Sequence, residues 1–213
     1  MSSILKVNTI QDGGGNNLIT SDGSGNVTSV GFNNAGTNVL IKTITLSSAS
    51  TPIQFLNSDA DVTFDSTYQT YKFIGNLKYE NDSRVTYVRF STDGTNLDTT
   101  SGNYKYDRIS SADGSVSSSS DGSSSVIQLE HNASGNSTGE YASFELTLFN
   151  NTTLNYPSII CHLFTRRTDG DSSIVFRTGR YEVNSPIQGI SFFPNSSNNY
   201  DAGATISMYG VKS

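Results

Sequence analysis

Apolar and polar side chains alternate with a period of two along most of this chain, from residue 39 to its end. In residues 141–149, for example, Phe144, Leu146 and Leu148 are separated by single polar residues. Successive side chains of a β-strand point to opposite faces, so this pattern predicts strands with one buried and one exposed side. No window of helical length carries the apolar spacing of an amphipathic helix. The chain is therefore predicted to be all-β.

Ten segments share the alternation and are predicted to be strands. They are residues 39–46, 68–79, 85–90, 104–109, 126–130, 141–149, 157–167, 174–183, 187–193 and 204–211. Asp-Gly pairs, which are typical of tight turns, follow or separate several of them, at residues 93–94, 113–114, 121–122 and 169–170. Many short strands without helices favour two packed sheets. We expect an antiparallel β-sandwich, jelly-roll-like, over residues 39–213.

The composition agrees with a sheet protein that has long polar loops. The chain holds 35 Ser, 23 Thr, 21 Asn and 19 Gly, and such residues are poor helix formers. Its 11 Tyr and 11 Phe distinguish it from a disordered chain, which lacks aromatic residues. Residues 110–125 are almost entirely Ser, Asp and Gly, and residues 132–139 are similar. Both segments are predicted to be mobile loops that bury nothing.

Residues 1–38 lack the alternating pattern of the rest of the chain and have a few apolar residues scattered among glycine-rich turns. These residues are too sparse to build a core within one chain; the ones that stand out are Ile4, Leu5, Val7, Ile10, Leu18 and Ile19. Either the segment is a flexible linker, or its apolar residues are buried against another copy or another protein. The second alternative is favoured, because a linker needs no such residues. We therefore expect an extended N-terminal arm for attachment and oligomerisation.

Charge and cysteine content exclude several classes of protein. The formal net charge is −6 and no cluster of Lys and Arg occurs, so nucleic acid is not an expected partner. The single cysteine, Cys161, excludes an intrachain disulfide and is expected to be a buried apolar residue. No apolar stretch approaches the length of a membrane helix, and the N-terminus lacks the pattern of a signal peptide. No membrane insertion is expected.

Catalytic, metal and cofactor motifs are not found. The only histidines are His131 and His162, and no nucleophile elbow, phosphate loop or zinc motif accompanies them. Carboxylates for glycoside cleavage occur near strands and in loops, at Asp59, Asp61, Asp65, Glu130, Glu140 and Glu145, but the sequence cannot pair them. The Asp59/Asp61 and Asp169/Asp171 pairs offer oxygen ligands without a calcium-loop spacing and are interpreted as turn residues. We expect no enzyme activity, no metal and no cofactor.

Several motifs, taken in order, resemble those of a known group of proteins. They are YKFIGNL at 71–77, VRFSTDG at 88–94, YKY at 104–106, IQGISF at 187–192 and ATISMYGVK at 204–212. The opening segments ILKVNTIQD at 4–12 and LITSDGSGN at 18–26 belong to the same set. In this order the motifs resemble bacteriophage tail-fibre and virion structural proteins, of marine and cyanophage type, with a C-terminal jelly-roll domain.

The resemblance implies a structural component of a phage virion, assembled in the host cytoplasm. It implies a tail-fibre or receptor-binding subunit that contacts host surface glycans, forms a homotrimer and binds other virion proteins through its N-terminal arm. A purely architectural head decoration, cement or fibre-connector protein is the alternative, and a capsule-degrading enzyme is a weaker third.

Glycan binding needs aromatic faces and polar side chains on loops or strand ends. The candidates of this kind are Tyr104, Tyr106, Arg108, Tyr156, Asn198 and Tyr200. The competing interpretation is that these side chains complete the sandwich core or a contact between subunits.

Overall fold

The computed structural model describes residues 9–21, 24, 27–29, 38–131, 134–150 and 156–212. The described residues contain strands and turns but no helix, and the strands are antiparallel throughout. No membrane-spanning helix is therefore found among them. The chain divides into two units, residues 1–37 and 38–213.

The first unit contains a small antiparallel sheet. Its strands are β1 (Thr9–Gln11), β2 (Asn17–Ser21) and β3 (Val27–Ser29), paired in that order. Ile10 and Ile19 stand opposite each other on β1 and β2, and the side chain of Ile10 is 46% exposed. The described part of the arm is thus folded into a sheet and is not one extended run.

Several predicted attachment residues are not placed by the structure. Ile4, Leu5 and Val7 lie outside the described residues, and the side chain of Leu18 is not described either. The role of the arm in attachment stays a prediction.

The described residues of the second unit form twelve strands in two sheets. In chain order they are β4 (Asn38–Thr45), β5 (Ile53–Leu56), β6 (Thr70–Leu77), β7 (Thr86–Ser91), β8 (Tyr104–Ala112), β9 (Ser115–Ser124), β10 (Ile127–Gln128), β11 (Tyr141–Phe149), β12 (Ser158–Arg166), β13 (Ser172–Tyr181), β14 (Gly189–Pro194) and β15 (Thr205–Val211). The larger sheet has the order β4-β15-β6-β11-β12-β13-β8-β9, and the smaller has the order β10-β7-β14-β5. The two sheets pack face to face, which confirms the predicted β-sandwich.

Aromatic side chains from both sheets form the core. Phe192 on β14 packs against Phe73 on β6 and Phe144 on β11, with ring centroids 5.5 and 5.4 Å apart. Gly75 on β6 has no side chain because the ring of Phe144 occupies that space: an added Cβ would lie 2.3 Å from it. Cys161 is free and buried in the same core, as predicted, and burial raises the pKa of its thiol.

All ten predicted strands of this unit have a counterpart in the structure, and two further strands were not predicted. The first is the short strand β5, which carries only four residues. The second is β9, and here the prediction of a mobile loop over residues 110–125 is wrong. Asp113 and Gly114, with φ of 52° and 75°, form the tight turn that a hairpin needs, and β9 pairs with β8 along its length. Its side chains face solvent because β9 is an edge strand, so it needs no apolar pattern.

The second predicted loop, residues 132–139, is also partly ordered by the sheet. Ser134 forms β-bridges with Arg84 and Arg167 and is fully buried, so the expectation that this segment buries nothing is wrong. Residues 132 and 133 lie outside the described part of the chain.

Replacing Phe192 by Ala is expected to lower the free energy of unfolding by about 3–5 kcal/mol, since it empties the space between the two sheets. The matched control is Phe149→Ala on β11, whose ring is 40% exposed, with an expected cost below about 1 kcal/mol. Urea unfolding followed by tyrosine fluorescence measures both. Equal costs for the two variants would contradict this description of the core.

Candidate ligand-binding groove

Two of the predicted glycan-binding residues are core residues. Tyr104 and Tyr200 are both 0% exposed. The hydroxyl of Tyr104 donates to the carbonyl of Asp98 at 2.8 Å, and the ring of Tyr200 packs against that of Tyr79 with centroids 5.5 Å apart. Neither ring offers a face to a ligand, because both side chains point inward, into the core of the sandwich. The competing interpretation, that they complete the core, describes these two residues.

The other four predicted residues lie at separate places. Tyr106 and Arg108 are near neighbours on β8, on the side that faces the smaller sheet. Tyr156, which is 41% exposed, precedes β12 and lies under the guanidinium of Arg180, 5.9 Å from the ring centroid. Asn198 lies in the loop after β14. The structure does not bring the six residues together into one site.

A groove lies on the outer face of the four-stranded sheet. Val88 and Phe90 on β7 point into the core, so the alternation turns Tyr87 and Arg89 outward. On the neighbouring strand β14, Phe193 is likewise turned outward and stands directly opposite Tyr87. These three side chains form the floor of a cavity of about 560 Å³.

The floor side chains hold one another in place. The rings of Tyr87 and Phe193 meet edge to face, with centroids 5.9 Å apart. The guanidinium carbon of Arg89 lies 4.9 Å from the ring centroid of Phe193, a cation–π geometry. Nε of Arg89 donates to the carbonyl of Ser125 at 3.2 Å. The two terminal nitrogens of Arg89 make no hydrogen bond to the described residues and remain available to a ligand.

One wall of the groove is a loop with an unusual backbone. Ser196 and Ser197 have φ values of 59° and 53°, in the left-handed region that non-glycine residues seldom adopt. The side chain of Asn198 holds this turn by donating to the carbonyl of Ser196 at 2.9 Å and accepting from Asn81 at 2.8 Å. Asn198 therefore lines the groove, as a predicted binding residue would, but its amide is engaged in shaping the wall.

The lining of the groove suits binding, and its hydroxyl groups have no carboxylate or imidazole beside them in the groove that could act as a general base. Its described residues include aromatic, aliphatic, hydroxyl and amide side chains and one guanidinium, but no carboxylate, imidazole or thiol. Of the predicted carboxylates, Glu130 is fully buried, and Glu145 pairs with Lys72 on the outer face of the other sheet.

The sequence analysis did not single out Tyr87, Arg89 and Phe193, although it predicted the strands that carry them, over residues 85–90 and 187–193. A signal for them was present, since Tyr87 and Arg89 alternate with the apolar Val88 and Phe90. What the sequence did not show is that Phe193, more than a hundred positions later, pairs with Tyr87.

The predicted turn aspartates do form turns. The carboxylate of Asp59 accepts from the backbone N–H of Leu56, and that of Asp169 accepts from the N–H of Asp171. Asp113 joins Asp169 and Asp171 where two hairpin turns meet, and all three are exposed. Arg167 forms ion pairs with Asp113 and Asp169 and supplies positive charge to the cluster.

A second group of polar residues is enclosed in the core around Glu130. The hydroxyl of Tyr79 lies 2.5 Å from Oε1 of Glu130, and the backbone N–H of Thr86 donates to Oε2 at 3.1 Å. Burial raises the pKa of Glu130 to about 8, against the opposing effect of these hydrogen bonds and of nearby Arg177. At neutral pH the carboxyl group is therefore mostly protonated.

No protein-family model, curated protein or solved structure matches this chain. Function must therefore be inferred from the chemistry of the groove and from the sequence motifs.

Glu130 is expected to make stability depend on pH. Its pKa is raised in the folded state, so its stabilising contribution is complete below about pH 4.5 and is lost as the pH rises through about 8. Across this window the free energy of unfolding is expected to fall by up to about 1.4 kcal/mol per pH unit. Glu130→Gln mimics the protonated carboxyl and is expected to remove this slope.

The measurement is urea unfolding between pH 5 and pH 9 for wild type, Glu130→Gln and the surface control Glu145→Gln. Parallel pH profiles for wild type and Glu130→Gln would show that Glu130 is ionised in the fold.

Proposed function

We propose that this chain is a non-enzymatic structural subunit of a bacteriophage virion, a tail-fibre or receptor-binding protein whose sandwich binds host surface glycans. The observation that carries the glycan assignment is the groove floored by Tyr87, Arg89 and Phe193. The assignment to a virion is supported by the ordered motifs that resemble phage tail-fibre and virion proteins.

The groove has the chemistry that a sugar ring needs. A sugar presents apolar C–H faces and a rim of hydroxyl groups, so it is bound by aromatic surface together with directed hydrogen-bond donors. Tyr87 and Phe193 supply the aromatic surface, and the terminal nitrogens of Arg89 supply fixed donors beside it. The position is also suitable, because loops mounted on a rigid sheet often carry binding sites.

The outer face of the eight-stranded sheet supports assembly into a homotrimer. Exposed apolar side chains lie on three adjacent strands of this face, β12, β13 and β8: Ile160, Ile174, Phe176 and Ile109. Ile74 on β6 is also exposed, but β11 lies between its strand and β12. Phe176 stands between His162 and Ile109 in one row across the sheet. Contiguous exposed apolar surface of this kind marks an interface in a soluble protein.

In this proposal the subunit belongs to the phage particle and is assembled in the host cytoplasm. The first unit, residues 1–37, would contact other virion proteins, and neither nucleic acid nor membrane insertion is involved.

The second candidate is a purely architectural virion protein, such as a head decoration, cement or fibre-connector subunit. The apolar outer face favours it, because that face serves assembly and needs no ligand. The two candidates differ in whether the groove binds anything.

Replacing Tyr87 or Phe193 by Ala is expected to weaken binding to host surface polysaccharide at least tenfold, because each change removes half of the aromatic floor. The control is Tyr156→Ala, which removes an exposed tyrosine outside the groove. Binding of the purified chain to immobilised polysaccharides from candidate hosts measures the effect. No binding by the wild-type chain to host cells, together with less stable virions when it is deleted, would favour the architectural role.

Replacing both Ile174 and Phe176 by Ser is expected to dissociate the trimer, because these residues lie at the centre of the apolar face. Light scattering should give about three times the 22.9 kDa chain mass for wild type and the chain mass for the double variant. Phe193→Ala, on the other sheet, should remain trimeric. A monomeric wild-type chain would contradict the assembly.

A further inference from the structure

Two arginines stand side by side on the inner face of the eight-stranded sheet. Arg177 on β13 is directly opposite Arg108 on β8. Directly opposite residues of an antiparallel pair project from the same face, so both guanidinium groups enter the sandwich. Only 2% of Arg177 and 9% of Arg108 is exposed. Two positive charges are thus brought together with little contact with water.

Only some of the N–H donors of these two guanidinium groups have hydrogen-bond acceptors in the protein. Arg177 donates from Nε to the carbonyl of Leu129 at 3.1 Å and from Nη2 to that of Glu130 at 3.2 Å. Its guanidinium carbon also lies 4.7 Å from the ring centroid of Tyr106. Nη1 of Arg177 and Nε of Arg108 are buried and have no hydrogen-bond partner. Within the described part of the chain, the side chain of Arg108 makes no hydrogen bond.

No carboxylate neutralises the pair among the described residues. Neither arginine forms an ion pair. The carboxylate of Asp121, near Tyr106, accepts hydrogen bonds from the Tyr106 hydroxyl at 3.4 Å and from the backbone N–H of Ser123 at 2.9 Å, and from neither arginine. Glu130 is the acid beside Arg177, but its raised pKa leaves it mostly uncharged. Burial, together with Arg108, lowers the pKa of Arg177 only to about 10, so it stays positive at neutral pH. Buried charge of this kind is costly unless an opposite charge accompanies it.

We propose that Arg108 and Arg177 bind an oxyanion: a sulfate, phosphate or carboxylate group. The fork of N–H donors in a guanidinium matches the oxygen atoms of such a group. Ser119 stands opposite Arg108 on β9 and adds a hydroxyl on the same side. Because β9 is the edge of its sheet and β10 the edge of the other, the pair lies near an open border of the sandwich. The site is separate from the groove and does not depend on its proposed function.

The first test uses the full-length chain and sodium sulfate as the probe. Isothermal titration calorimetry should give one sulfate per chain, and sulfate should raise the melting temperature above that in sodium chloride of equal ionic strength. Arg108→Gln should weaken sulfate binding at least tenfold, whereas Arg89→Gln in the groove should not change it. No saturable sulfate binding by wild type, or unchanged binding by Arg108→Gln, would overturn the proposal.

A second variant avoids any change in a buried residue. Ser119→Asp places a tethered carboxylate opposite Arg108 on an exposed edge strand, so it should occupy the site. We expect a higher melting temperature without sulfate and loss of the sulfate effect. Ser118→Asp is the matched control, because Ser118 stands opposite Ile109 and points to the other face. Equal behaviour of the two aspartate variants would refute the site.

The same anion chemistry could come from an acidic sugar or from a free inorganic ion. Titration with a sulfated or uronic-acid oligosaccharide, compared with sodium sulfate and sodium acetate, separates these sources. If the oligosaccharide binds at least tenfold more tightly than sulfate or acetate, and Ser119→Asp abolishes that binding, the site is assigned to an acidic glycan. Equal affinities, with the same sensitivity, assign it to a free anion.

Discussion

Aromatic rings packed between the two sheets hold this molecule together. The only cysteine is free, so no intrachain disulfide can assist, and stability comes from apolar burial. The same packing fixes the functional surface. Once Val88 and Phe90 point inward, Tyr87 must point outward, and Phe192 in the core likewise sends Phe193 to the floor of the groove. The floor of the groove is therefore fixed by the same strands that form the core, which suits a binding site.

The unequal size of the sheets explains where buried polar groups collect. Four strands span about 15–20 Å and eight span about 35 Å, so the smaller sheet cannot cover the larger one. Loops complete the cover, and Leu129 and Glu130 belong to one of them. Loop carbonyls that are buried need donors, and Arg177 supplies two hydrogen bonds to this loop. Arg177 thus provides the hydrogen-bond donors that the buried loop carbonyls need. As a consequence, a positive charge is buried in the sandwich.

The sandwich could be predicted from the sequence because the larger sheet has one solvent-exposed and one buried face. Its strands therefore alternate polar and apolar residues. Strand β11 was predicted with its observed limits, since Phe144, Leu146 and Leu148 alternate without interruption. Strand β9 was missed for the opposite reason: an edge strand with solvent on most sides needs only backbone pairing, which leaves no apolar pattern. Its turn signal, Asp113-Gly114, was recognised but not connected to a serine-rich partner strand.

The candidate sites were less predictable than the fold because they depend on register. Tyr104 and Tyr106 looked alike in sequence, yet Tyr104 is fully buried in the core and Tyr106, on the same strand, is only partly buried. The pairing of Tyr87 with Phe193 joins residues 106 positions apart, and that of Arg108 with Arg177 joins residues 69 positions apart. Alternation tells which residues share a face of one strand. It cannot tell which strands pair with each other, and both sites are formed by side chains from two paired strands.

Glu130 and the arginine pair show two different responses to burial within one region. A carboxyl group can lose its charge by binding a proton, and burial raises the pKa of Glu130 in the direction that favours this response. A guanidinium group cannot respond in this way near neutral pH, because even a lowered pKa of about 10 leaves Arg177 charged. By becoming neutral, Glu130 also withdraws a nearby negative charge that could have balanced Arg177. The protonation of the acid and the need of the arginines for an external anion are therefore linked consequences of the same buried environment.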